Sequence, residues 1–251
     1  MKDALSSLDI AAVVKELQAA VGGHVDKVYH PSLQHLVLAV RKQGEGKAFI
    51  HFIVGKWLYL SEEAGEMPAQ PSDFAMMLRK RILNARITGI RQQGFDRIVV
   101  LGLEKDGAYD LVLESFADGN VILATGGDIV QPLTSHTWKH RDVRAKKPLV
   151  FPPPVPNPLE MDPEGLLGFL KGSNTDLVRT LATKLNIGGV YSEEICVRSG
   201  IGKATRAAEI GQDDAGKSLE CIRSLGDEIL ASGKGFVVLA NGIVDDVVPT
   251  R

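Results

Sequence analysis

The chain has 251 residues, 44% of them hydrophobic, and 29 Lys and Arg against 31 Asp and Glu, for a formal net charge of −2. That length and apolar content support one large domain or two ordinary ones with real cores. The two cysteines, Cys196 and Cys221, exclude both a disulfide framework and a four-cysteine zinc site.

The start, "MKDALSSLDIAAVVKELQAAVGG", lacks the continuous apolar stretch and cleavage site of a signal peptide. No later run approaches 18 apolar residues, so no membrane span or membrane partner is expected and the location reads as cytoplasmic. Ser6 and Asp9 fit a capping box ahead of the helical period Ile10, Val13, Val14, Leu17 and Val21, and Gly22-Gly23 ends that helix. Period-two runs follow at "HVDKVYH", "HLVLAVR", "KAFIHFIV" and "KWLYLS". "PSDFAMMLRKRILN" places Phe74, Met77, Leu78 and Ile82 on one helix face with its basic residues mostly opposite. "ARITGIRQ", "RIVVLGLE", "YDLVLESF" and "NVILAT" read as four more strands, the last two joined at Asp118-Gly119. Eight strands and two helices make residues 1–148 an α+β domain built on a β-sandwich or barrel.

"PLVFPPPVPNPLEMDP" carries seven prolines within 148–163, so 149–162 reads as a stiff linker. Helical patterns near 163–170, 175–184, 190–199, 203–209 and 213–231 follow, separated by glycines, and make 163–232 a small all-α domain. The stretch "GKGFVVLANGIVDDVVPT" within 233–251 reads as a hairpin turning at Asn241-Gly242. It ends on no obvious terminal element, which suggests a piece of a longer protein.

Two glycine devices stand out. "KLNIGGVYSEE" sets Gly188 and Gly189 before a helix whose first turn holds Tyr191, with Lys184 just upstream. "SGIGKATRAAEI" repeats the pattern with Gly200 as a C′ residue and Gly202-Lys203 opening the next helix. Backbone amides at a helix start bind phosphate, and glycine lets the phosphate come close. The same spacing also suits plain helix-to-helix turns. "GIGK" is no nucleotide loop, because Val197 and Ala204 stand where that pattern needs Gly and Ser or Thr. The histidines are scattered, with His24, His30, His35 and His51 on strands as structural residues. No metal, cofactor or catalytic residue is assigned.

The near-zero net charge hides local basic fields. Residues 79–97, "RKRILNARITGIRQQGFDR", hold six Arg and Lys against one Asp, and 138–147, "WKHRDVRAKK", hold five against one. Arg79 and Lys80 are candidates for phosphate contact, although successive helix positions cannot all face one way. Trp138 with its basic neighbours suits a base-stacking platform or ordinary packing.

"NIGGVYSEEICVRSGI" resembles the helix-two-turn-helix segment of formamidopyrimidine-DNA glycosylases, which grips a DNA backbone. Gly189 stands here where that segment has Asn. Met1-Lys2-Asp3 stands where those enzymes expose a nucleophilic proline followed by Glu, and the cysteines are too few for their zinc finger. "SSLDIAAVVKELQAAVGGHVDKVYHPS", "PSDFAMMLRKRILNARITGIRQQGFDRIVVL", "YDLVLESFADGNVILAT" and the helical segment together resemble the amino-terminal half of the NFACT family. That is the nuclear export mediator factor, RqcH and fibronectin-binding protein A family, and the match is to its archaeal type. The resemblance rests most on Leu8-Asp9, Phe74 through Arg86, Asp96-Arg97-Ile98 and Gly119-Asn120.

That resemblance implies a glycosylase-like (MutM-type) domain over 1–148 and a helix-hairpin-helix domain over 163–232, with 233–251 beginning a further region and the coiled-coil and RNA-binding parts missing. It implies a non-enzymatic module of ribosome-associated quality control, which binds tRNA and the large ribosomal subunit with its rRNA and stalled peptidyl-tRNA, and recruits tRNA for nascent-chain tailing. Asp9, Asp96 and Arg97 match the residues that tRNA recruitment needs in the family. Read from the residues alone, Asp9 equally completes the capping box with Ser6, and Asp96-Arg97 equally forms a turn ion pair. The alternative function is base excision or RNA-base modification on the same fold. Adhesion to fibronectin, which one family name suggests, would need an unexplained route to the cell exterior.

Overall fold

The computed structural model describes residues 2–44, 46–232, 235–240 and 243–249. Its contacts divide the chain into two compact units, one of Val13–Gln93 with Arg97–Pro153 and the other of Met1–Ala12, Gly94–Asp96 and Pro154–Arg251. This differs from the expected division at residue 148. Leu8 from the first helix and Phe95 from a loop are core residues of the helical unit, buried among Leu166, Leu181, Leu185, Ile187 and Ile195, and apolar burial there outweighs their position in the sequence.

The first unit is a nine-stranded antiparallel sheet in the order β4-β3-β2-β1-β5-β6-β7-β8-β9. Its strands are β1 (His24–Ser32), β2 (His35–Lys42), β3 (Gly46–Ile53), β4 (Trp57–Ser61), β5 (Arg86–Gln92), β6 (Ile98–Glu104), β7 (Ala108–Glu114), β8 (Asn120–Thr125) and β9 (Asp128–Pro132). β2 buries Leu36 through Val40 without a break, and β6 buries Ile98 through Leu101. Continuous apolar runs of this kind mark strands covered on both faces. The helix α1 (Ser7–Leu17) precedes the sheet, and α2 (Asp73–Ile82) packs on β1 and buries Ala75, Leu78 and Ile82. A Ser72 cap starts α2, accepting the Ala75 N–H at 3.2 Å.

Three strands of residues 1–148 escape the periodicity reading: β9, β10 (His136–Trp138) and β11 (Arg141–Val143). β9 ends in Pro132, which a sheet tolerates on the edge position that β9 occupies. β10 and β11 are three residues each and pair only with one another, too short to show a period. The Gly119 turn is fixed by close approach, since a Cβ there would overlap the Gly55 backbone nitrogen. Next to it, buried Asn120 accepts the Thr134 N–H at 3.1 Å and donates to its carbonyl at 2.8 Å, tying the turn to the chain after β9.

In the second unit, α3 (Pro163–Lys171) starts with Pro163 at its first turn and Asp162 as cap, which accepts the Gly165 N–H at 2.7 Å. A short α4 (Leu177–Arg179) runs into one π-helical turn over Thr180–Lys184. α5 (Gly189–Ser199) and α6 (Gln212–Ser232) pack together, and Arg198 of α5 bonds both Glu194 and Glu228, which raises its already high pKa further. Residues 203–209 do not form the expected helix. The segment pairs in extended form, Leu177 N–H to the Thr205 carbonyl and Ala207 N–H to that of Thr175, and only Ala207–Glu209 makes a 3-10 turn. β12 (Phe236–Ala240) and β13 (Ile243–Val248) pair antiparallel. The Asn241-Gly242 turn expected between them lies outside the described residues.

Three rings line up on the sheet, His51 buried, His35 half-buried and Tyr59 exposed. His51 donates from Nε2 to the Glu63 carbonyl at 3.0 Å, which leaves its Nδ1 to accept from His35 Nε2 at 3.1 Å, and His51 stacks on Tyr59. His30 lies 2.8 Å from Ser72 Oγ. Burial pushes both His30 and His35 below the usual imidazole value of 6.5. A histidine depressed in the folded state contributes stability that is complete above the unfolded pKa and is lost as pH falls toward the folded one. Stability of the sheet unit should therefore hold above about pH 7 and decline from about 6.5 downward. A urea midpoint followed from pH 8 to 5 checks this, and His35→Asn should flatten the decline.

Candidate nucleic-acid interface

Asp9 is 3% exposed and accepts four bonds. Its Oδ2 takes the Ser6 N–H and the Ser6 hydroxyl, both at 2.8 Å, while Oδ1 takes the Tyr191 hydroxyl at 2.6 Å and the Lys2 ammonium at 2.7 Å. Ser6 Oγ in turn accepts the Asp9 N–H at 3.2 Å, completing the capping box. A carboxylate has about four lone-pair sites, so this one is filled from within the protein. Lys2 also lies over the Tyr191 ring, 5.3 Å from its centroid.

The turn before α5 is built around the same residues. Asn186 adopts φ 54°, and its carbonyl accepts the Ser7 N–H at 2.9 Å while its amide donates to Asp96 Oδ1 at 3.3 Å. Gly188 follows at φ 89°, ψ 155°, a region only glycine occupies comfortably. A Cβ on Gly188 would stand 2.7 Å from that of Ser6. Gly189 is different, with open space around its Cβ position and an exposed backbone at the start of α5. So Gly188 is required by conformation and contact, while Gly189 sits exposed at the first position of α5. The dipole end of an 11-residue helix favours an anion at that place.

The candidates named from sequence are placed unequally. Asp9, Asp96, Gly188, Gly189 and Tyr191 come together in the helical unit, with Tyr191 buried and its hydroxyl given to Asp9. Lys184 is exposed at the end of the π turn. Arg97 belongs to the other unit, half-buried, its carbonyl accepting the Ser115 N–H. Arg79 lies on the sheet, donating to the Val28 carbonyl at 2.9 Å and covering Tyr29, whereas Lys80 is exposed.

Gly200 is the left-handed C′ residue of α5 (φ 70°). Gly202 and Lys203 sit in a turn and open no helix, and Lys203 faces Glu193 at 3.6 Å. The basic run at 138–147 is partly neutralised from within: Arg141 is buried against Glu114, and Arg144 and Lys147 share Asp142. The Arg144 hydrogen bonds hold the Asp142 carboxyl below its ordinary value. Ser6 was visible in the capping box, whereas Lys2 and Asn186 were missed by sequence reasoning. Of those two, only Asn186 left a signal, since asparagine before a glycine pair readily takes the left-handed region.

The described residues form an antiparallel sheet and a set of helices with a glycine turn, an α+β fold, and no helix among them is long and apolar enough to cross a membrane. This fold is shared with the amino-terminal part of the fibronectin/fibrinogen-binding protein from Streptococcus suis (TM-score 0.73, 19% identity, 98% of this chain and 90% of that one). It is also shared with the MutM (Fpg) protein from Thermus thermophilus (TM-score 0.52, 14% identity, 95% and 80%).

Residues 6–245 match the NFACT N-terminal and middle domains, and the chain belongs to the NFACT family. The archaeal Rqc2 homolog aRqcH of Methanocaldococcus jannaschii is 34% identical over 99% of this chain and 39% of its own length. Ribosome quality control complex subunit 2 of Saccharomyces cerevisiae is 35% identical over 57% of this chain and 14% of its own. The chain thus spans about two-fifths of the archaeal relative.

Proposed function

We propose that this chain is the tRNA- and large-ribosomal-subunit-binding module of a cytoplasmic ribosome-associated quality control factor, which recognises stalled peptidyl-tRNA and recruits tRNA for nascent-chain tailing. Membership of a family whose relatives carry ribosome quality control names supports the setting. The observation that carries the chemistry is the Gly188-Gly189 turn, an exposed helix start braced from below by a buried carboxylate.

In this reading the Gly189 and Val190 amides and Lys184 hold phosphate, and Asp96 and Arg97 contact tRNA. Asp9 and Tyr191 act from beneath by fixing the start of α5, because the Asp9 oxygens are already filled. Residues 163–232 serve as the helix-hairpin-helix domain and 149–162 as its linker. The module acts without catalysis. Excision chemistry of the glycosylase type needs a free amine, and the Lys2 amine beside this turn is engaged by Asp9.

The test is tRNA binding by fluorescence anisotropy across a salt series. The affinity should fall on a log–log plot with a slope of about −0.7 to −0.9 per phosphate neutralised, and Arg97→Ala with Lys184→Ala should flatten it. A salt-independent affinity, or equal binding by the double variant, counts against the proposal.

A further inference from the structure

The register of the sheet lines up a set of basic residues that are scattered in the sequence. Lys47 on β3 stands opposite Arg41 on β2, Arg41 opposite His24 on β1, and His24 opposite Arg86 on β5. All four are exposed. Directly opposed residues project from one face of a sheet, with neighbouring strands about 4.8 Å apart, so the row runs about 14 Å across four strands. Like charges placed directly opposite one another destabilise a sheet, yet Arg41 and Lys47 are so placed. Internal compensation is incomplete. Asp26, two positions from His24 on β1, pairs with Lys47 at 2.9 Å, and its carboxyl is held below its ordinary value by that bond and by the charges of Lys47, Arg41 and Lys27. Glu104 faces Arg86 at the far end. Three permanent cations and a histidine therefore make up the row, with one carboxylate paired to Lys47 at one end and one opposite Arg86 at the other.

We propose that this row is a second RNA-backbone site, with Arg41, Lys47 and Arg86 binding successive phosphates. It belongs to the sheet unit, whereas the Gly188-Gly189 turn belongs to the helical unit, and it deepens the RNA-binding reading on which it rests. The shape and chemistry of the row favour a polyphosphate. It is linear, it carries guanidinium groups that pair bidentately with phosphate, and among the described residues none of the exposed large hydrophobics lies on it. A protein partner would need an apolar centre to its interface.

The experiment compares tRNA binding by the wild-type chain, by Arg41→Gln/Arg86→Gln and by Arg41→Lys/Arg86→Lys across the same salt series, with polyglutamate as competitor. The glutamine pair should keep the thermal midpoint and reduce the magnitude of the salt slope by about 1.4 to 1.8, two phosphates' worth. The lysine pair should keep the slope. An unchanged slope in the glutamine pair, while the wild type binds, overturns the row and leaves the Gly188-Gly189 reading standing. Displacement by polyglutamate as effective per charge as by RNA overturns the RNA assignment in favour of an acidic protein. No binding by the wild type overturns the RNA reading itself, and the row with it.

Discussion

Asp9→Ala should destabilise the helical unit by about 3–5 kcal/mol, the cost of stranding a buried charge, where loss of a helix cap alone would cost about 0.5–2 kcal/mol. The difference comes from what the carboxylate leaves behind. Lys2, with its side chain 11% exposed, loses its ion pair with Asp9, and the buried Tyr191 hydroxyl loses its 2.6 Å bond to the carboxylate. Urea unfolding of the variant measures the loss, and adding Lys2→Met should restore part of it, because removing both charges is far cheaper than removing one. A drop confined to the capping range would show that Lys2 and Tyr191 find other partners.

The consequence for function separates two roles for Asp9. If it positions α5, Tyr191→Phe should weaken tRNA binding in parallel with Asp9→Asn, and the double variant should lose less than the sum. Hydrogen exchange at the Gly189 to Tyr191 amides should quicken in both variants without any RNA present. If Asp9 instead meets RNA directly, Tyr191→Phe should bind like the wild type and those amides should not change.

Glu114→Ala should cost the sheet unit a similar amount, about 3–5 kcal/mol. The Arg141 and Glu114 side chains are 8% and 3% exposed, and Arg141 also donates from Nε to the Val150 carbonyl at 2.6 Å. Its guanidinium thus ties the β10–β11 hairpin to the end of β7 and to the proline-rich segment. Removing the carboxylate leaves that cation buried, whereas Glu114→Leu with Arg141→Met should recover most of the loss. Thermal melts of the three variants check the ordering. A melt of Glu114→Ala within about 2 °C of wild type, a shift worth about 0.5–1 kcal/mol for a domain of this size, would contradict it. The pair also bears on RNA binding, because Arg141 in the run at 138–147 is held inside and Trp138 faces it at 5.7 Å.

Legibility varied with how local each signal is. The first eight strands and both helices of residues 1–148 could be read because alternation and the 3.6-residue period survive in a single segment. β9 to β11 could not, since an edge strand ending in proline and two three-residue strands carry no period. The helix expected at 203–209 failed for a related reason: its residues suit a helix, but pairing with 175–177 holds them extended. At the candidate site, Ser6-x-x-Asp9 and Gly188-Gly189 were visible as patterns. That they meet, despite their distance along the chain, was not.

The order of residues by itself determined the capping box at Ser6-Asp9, the strand segments, the proline-rich connection and the glycine turn before α5, because each follows from contacts within a few positions along the chain. Tertiary structure alone decided that Asp9 is filled by Lys2, Ser6 and Tyr191, that Gly188 lies against Ser6, and that Lys47, Arg41, His24 and Arg86 share a row. Those facts depend on which distant segments pack together, and packing is chosen by the burial of whole apolar faces rather than by the few polar residues that come to rest between them.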